Sequence, residues 1–184
     1  MNARVQANFI ASVEVPRSPW ADGVDGHQLD VIGSSLSDVV FTVGGWLCDR
    51  AMSGWRVNVS ISDDFDDLPL RILGVKALPF EPALEFMRSK PPAAALAICS
   101  DVLANHTRLR ETVAIAAKRG LPEVIVWGGG GTTELADRLS FSAVEHRISA
   151  AARAFKAHAL VAAANHRESV APIEKFCSTN RTSH

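Results

Sequence analysis

Apolar residues in this chain fall in short runs, and small or acidic residues follow each run. Val39-Val40-Phe41-Thr42-Val43 leads into Gly44-Gly45, and Val57-Asn58-Val59-Ser60-Ile61 into Asp63-Asp64. Ala94-Ala95-Leu96-Ala97-Ile98 leads into Ser100-Asp101, and Val124-Ile125-Val126-Trp127 into Gly128-Gly129-Gly130-Gly131. Runs of this length, rich in β-branched residues and bounded by turn formers, predict strands. Leu70 to Val75 adds another. Helical periodicity falls between them: a short helix over 46–52, another over 81–88 begun by Glu81-Pro82, and one over 105–119. The last is capped by Asn105 and closed by Lys118-Arg119-Gly120. Residues 133–166 read as a long helix broken near Ser140, with Val144, Ile148, Ala151, Phe155 and Ala162 on one face.

Strands alternating with helices predict an α/β fold with a doubly wound, mostly parallel sheet of about five strands, flavodoxin- or Rossmann-like, and a long C-terminal helix. Residues 1–33 read as an N-terminal arm or extra edge strand, 34–166 as a single α/β domain, and 167–184 as a flexible polar tail. One segment admits two readings. Leu36, Val39, Val40, Val43, Leu47 and Ala51 also fit a helical stripe, so 36–53 is either strand-turn-helix or one helix. Two adjacent glycines inside a helix cost about 1 kcal/mol each, which favours the strand.

In open parallel sheets, ligands lie beyond the carboxyl ends of the strands, so the residues after the runs are the candidate site. Gly128 to Gly131, with Thr132 and Thr133, place open backbone amides and two hydroxyls between a strand and a helix, an arrangement suited to an anion. No Gly-Lys-Ser/Thr follows, so this is not a Walker loop. Gly44, Gly45 and Asp63 follow the dinucleotide layout of glycines after one strand and an acid after the next. However, Gly45-Trp46-Leu47-Cys48 does not complete G-x-G-x-x-G. Ser100 and Asp101 are placed to contact a polar ligand, or in Asp101's case to cap a helix. Asp63, Asp64, Asp66 and Asp67 form an acidic loop that is either solvated or able to hold Mg²⁺.

Ser100-Asp101-Val102-Leu103 with Gly128-Gly129 resembles the S-x-L and G-G elements of cobalamin-binding domains. The serine-to-leucine spacing is one residue longer here, and Asp25-Gly26-His27 is followed by Asp30 where the D-x-H-x-x-G signature has glycine. The sequence alone assigns no family and no cofactor.

Composition narrows the classes. The chain has 184 residues, 47% hydrophobic and 21% charged, with a net charge of −1, so nothing global draws it to nucleic acid or acidic membranes. Cys48, Cys99 and Cys177 are odd in number and without metal spacing, and no histidine pair has it either. Met1-Asn2-Ala3-Arg4 lacks the apolar core of a signal peptide. A cytoplasmic protein is expected. The leading expectation is a binding or sensing domain for a small anionic, nucleotide-like ligand held by the glycine-rich loop. One alternative is a Mg²⁺-assisted phosphoryl-transfer or hydrolytic enzyme. The other is a non-catalytic protein-interaction module using the C-terminal helix, whose alanine-rich face suits close packing on its own sheet or on a second subunit.

Overall fold

The structure, a computed structural model, describes residues 27–80, 94–118, 123–129, 141–164 and 169–179. Its elements are β1 (Gln28–Gly33), α1 (Leu36–Met52), β2 (Arg56–Ile61), α2 (Leu68–Ile72), β3 (Lys76–Pro79) and β4 (Ala95–Cys99). They continue with α3 (Ser100–Asn105), α4 (Thr107–Lys118), β5 (Glu123–Trp127), β6 (Ser142–Arg147), α5 (Ala150–Ala164) and β7 (Ile173–Ser178). The sheet is mixed and seven-stranded, in the order β3-β2-β1-β4-β5-β7-β6. Strands β1 to β5 are parallel, and β7 runs antiparallel to both β5 and β6. The sheet is thus mixed and larger than the mostly parallel one of about five strands that was expected, and its parallel part has the 3-2-1-4-5 order of a Rossmann sheet rather than the flavodoxin order.

The first strand among the described residues is Gln28–Gly33, at the middle of the sheet and inside the segment 1–33 expected to be an arm or edge strand, of which residues 1–26 lie outside the described residues. Its Asp30 breaks the apolar run that marks a buried strand. The carboxylate is satisfied locally, accepting from Gln28 Nε2 at 2.9 Å and from Asn58 Nδ2 of the neighbouring strand at 2.9 Å. Leu29, Val31 and Ile32 are buried, as are all five residues of β4.

The run 38–43 is helix, not strand. Helix α1 begins at the cap Ser35, whose Oγ accepts from Asp38 N at 3.2 Å, and it buries Val39, Val40, Val43 and Leu47. Two glycines inside it are offset by what they admit. A Cβ at Gly45 would lie 2.7 Å from Ile148 Cγ2 and 2.9 Å from Glu174 Oε1. That space lets the Glu174 carboxylate reach the helix backbone, where Gly45 N donates to Oε1 at 2.8 Å and Trp46 N to Oε2 at 2.7 Å. Lys156 of α5 completes the arrangement. Its Nζ is 2.6 Å from Glu174 Oε1 and also donates to the Phe41 carbonyl, one turn before Gly45. Both charged side chains are almost fully buried.

The run 70–75 is divided between α2 and the turn before β3, because Pro69 opens a helical turn and Gly74 (φ +74°) ends it. The long C-terminal helix is not formed. Residues 142–147 are the edge strand β6, α5 covers Ala150–Ala164, and β7 lies in the stretch expected to be a tail. Period-two alternation in Ser142–Arg147 was open to a helical reading because Val144, Ile148 and Ala151 also fit helical spacing. On α5, Ala152 and Ala159 are fully buried, with α5 packed on α1 and α2, so this part of the alanine-rich face is turned inward. The helix expected over 105–119 is α4, and Asn105 ends α3 instead of capping α4. The helix expected over 81–88 lies outside the described residues. Among the described residues, no helix is long and apolar enough to cross a membrane.

A second polar tie joins β6 to α1. Asp49 Oδ2 accepts from His146 Nε2 at 2.9 Å and from Ser149 N at 3.0 Å. Burial pushes the Asp49 carboxyl up, but the hydrogen bonds from Ser149 and His146 outweigh it and hold the group below its ordinary value. Beside it, the Cys48 thiol is pushed up to about 11, first by burial and then by Asp49 and Glu174, so it is an inert core residue.

Two outcomes are expected. Lys156→Met and Glu174→Gln should each lower the unfolding free energy by about 3–5 kcal/mol, the cost of stranding one member of a buried pair. The double variant should lose less than the sum, and strictly additive losses in urea unfolding would mean the pair is not coupled. For Asp49, a depressed folded-state pKa contributes stability that is complete above the ordinary value of 3.8 and is lost as pH falls through the folded-state value. The Tm difference between the protein and Asp49→Asn should therefore be largest near neutrality and narrow below pH 3.8; a difference independent of pH would contradict this.

Candidate functional site

The parallel order 3-2-1-4-5 reverses direction at β1, so chains leaving β1 and β4 depart to opposite sides and open a crevice at their carboxyl ends. Three chain segments meet there. Ser34, Ser35 and Asp38 follow β1, Ser100 follows Cys99 at the end of β4, and Gly128 follows Trp127 at the end of β5.

Asp38 is the organising group. It stands in the first turn of α1, where the helix dipole favours a carboxylate. Its Oδ2 accepts from Trp127 Nε1 at 2.9 Å and lies 3.5 Å from Ser34 Oγ, and its Oδ1 accepts from Thr42 Oγ1 at 3.0 Å. Trp127 is fully buried, so its indole N–H needs a partner and reaches across the crevice to find one. A carboxylate has about four acceptor positions; three are taken, and the Asp38 side chain is only half-buried. Cys99 Sγ is 3.6 Å from Ser34 Oγ, which links the ends of β1 and β4.

Gly128 closes the third side. Its φ of +96° belongs to the left-handed region, and a Cβ there would lie 2.6 Å from Ser100 Oγ. The β5 chain can turn so closely over Ser100 only with glycine at this position. Gly129 is exposed and has open space around it.

The residues singled out by sequence are therefore divided. Ser100, Gly128 and Gly129 do lie at the crevice, Ser100 buried and the glycines exposed; Asp101 is exposed one residue further on. Gly130, Gly131, Thr132 and Thr133 lie outside the described residues. Gly44 and Gly45 are not at the sheet edge: they are buried in α1, where they admit Leu73, Ile148 and Glu174. Asp63 and Asp64 are exposed after β2, and Asp66 turns the chain into α2 by accepting from Leu68 N at 3.0 Å. Among the described residues, no three His, Cys, Asp or Glu side chains stand close enough to hold a metal ion. Ser34, Ser35, Asp38 and Trp127 were not picked out from the sequence. Their signal is Ser35-Leu36-Ser37-Asp38, the S-x-x-D of a capped helix start, hidden once 38–43 is read as a strand.

No family model and no curated protein match the chain. Solved structures do. The 4-carboxy-2-hydroxymuconate hydratase of Pseudomonas putida superposes with a TM-score of 0.58 at 11% identity, covering 86% of this chain and 98% of that one. A deacetylase of the teicoplanin biosynthetic pathway gives 0.55 at 14% identity, covering 83% and 96%. A pseudoaglycone deacetylase gives 0.51 at 14%, covering 73% and 79%. The chain shares an α/β fold with these deacetylases and this hydratase; at such identities the likeness is one of fold.

Proposed function

We propose that the chain is a small-molecule-binding domain of enzyme-like construction, its ligand lying across the ends of β1 and β4 with a hydroxyl or amine donating to Asp38. The observation that carries this reading is the Asp38 carboxylate, held by Trp127 and Thr42 at the switch point of the sheet with acceptor capacity left over. An anion is disfavoured at the start of α1, because Ser35 already takes the Asp38 N–H and the Asp38 carboxylate puts a negative charge in that first turn.

A second contact, to an anionic group, is favoured by the turn at Gly128 and the open backbone at Gly129. A ligand with hydroxyls at one end and a phosphate or carboxylate at the other fits both. A nucleotide is of that kind, and so is the carboxylated, hydroxylated compound in the name of the hydratase neighbour.

Thermal-shift titration with nucleotides, hydroxy acids and neutral polyols tests the reading. A ligand at one hundred times its Kd stabilises by about 2.7 kcal/mol. Asp38→Asn should weaken a hydroxylated ligand tenfold or more, and Gly129→Val should weaken only ligands that carry an anion. Equal affinity in Asp38→Asn and the native chain would overturn the role given to Asp38.

A further inference from the structure

The outer edge of the sheet carries a self-complementary pattern. Among the described residues, strand β6 is the last strand in the sheet order, and it pairs with β7 along its whole length, Ser142 opposite Ser178 and Arg147 opposite Ile173. The bond from Ile148 N to the Pro172 carbonyl, 3.1 Å, fixes which residues of β6 are hydrogen-bonded to β7. In an antiparallel ladder such pairs alternate. Ile148, His146, Val144 and Ser142 therefore turn their backbone groups toward β7, and Ala143, Glu145 and Arg147 turn theirs to the open side of the strand. The same three side chains lie on the exposed face of the sheet, while His146 points to the other face, where Asp49 holds it.

We propose that β6 is a dimerisation edge, and that its occupant is β6 of a second copy of this chain, paired antiparallel about a two-fold axis at His146. In that register Glu145 faces the other copy's Arg147 and Arg147 faces the other copy's Glu145. Both are pairs in which N–H and C=O are directed outward on each strand, so each forms two backbone hydrogen bonds. Glu145 already lies 2.8 Å from Lys175 Nζ on β7, and the new contact extends an alternating row of charge across the joint.

The charges also select the register. A one-residue slip sets outward-directed groups against groups bonded to β7, which no ladder allows. A two-residue slip sets Glu145 against Glu145 in one direction and Arg147 against Arg147 in the other, and like charges directly opposite are destabilising. Isolated charges on an edge strand commonly serve to block pairing. This arrangement blocks the neighbouring registers and leaves one open.

Sedimentation of the full chain over a range of concentrations tests the proposal. The chain of 19.7 kDa should show a reversible species near 39 kDa, twice that mass. Glu145→Arg alone and Arg147→Glu alone should each remain monomeric, because each brings two like-charged pairs together. Mixing the two variants in equal amounts should restore the dimer, since every cross-strand pair is then of opposite charge. Both positions are exposed, and circular dichroism should show each variant folded. A native chain that stays monomeric at its highest soluble concentration would overturn the proposal. So would a dimer that survives both single variants, or variants whose mixture stays monomeric.

Discussion

The carboxylate of Glu174 is the group on which the assembly of this fold depends. The five parallel strands and α1 form one part of the sheet assembly, and β6, α5 and β7 must be attached to it. Glu174 makes that attachment from β7 by taking two backbone N–H groups of α1 and the ammonium of Lys156 from α5. Lys156 in turn takes the Phe41 carbonyl. Buried carboxylates and ammonium groups are tolerated only when paired and hydrogen-bonded on all sides, and here one cluster supplies partners from three elements. The absence of a side chain at Gly45 is what allows it.

This clamp bears on the crevice as well. Phe41, whose carbonyl Lys156 holds, precedes Thr42, which donates to Asp38. The path from the buried pair to the candidate site is thus one turn of helix long. From the other side Trp127 fixes the same carboxylate, so Asp38 is held from within its own helix and from β5. A group so restrained is preorganised as an acceptor, which is what small-molecule sites place among otherwise apolar walls.

Much of the fold was legible in the sequence: the α/β class, and β2, β4 and β5 within a residue or two. Those strands are short, apolar and followed by turn residues. The misreadings have physical causes. Val39 to Val43 is β-branched yet helical, because the glycines after it are used in tertiary packing: Gly44 admits Leu73, and Gly45 admits a carboxylate from residue 174, a partner no local pattern reveals. Gln28 to Gly33 was obscured by Asp30, whose partner Asn58 is on another strand. The antiparallel extension was hidden because β6 alternates along an exposed edge and invites a helical reading. For the candidate site, the principle that ligands gather at strand ends led to Ser100, Gly128 and Gly129, which stand at the carboxyl edge of the sheet. It failed at Gly44 and Gly45 because the strand assigned before them does not exist. The strand that precedes α1 ends at Gly33, and with it the Ser35-x-x-Asp38 start of α1 becomes the readable signal.

The most direct test of the crevice is a crystal structure of the protein purified gently from its own cells, so that a bound molecule is retained. Electron density is expected between Ser34, Asp38 and Ser100, with a donor of the ligand within hydrogen-bond distance of the Asp38 carboxylate. A ligand bound elsewhere on the molecule, with this crevice filled only by water, would contradict it.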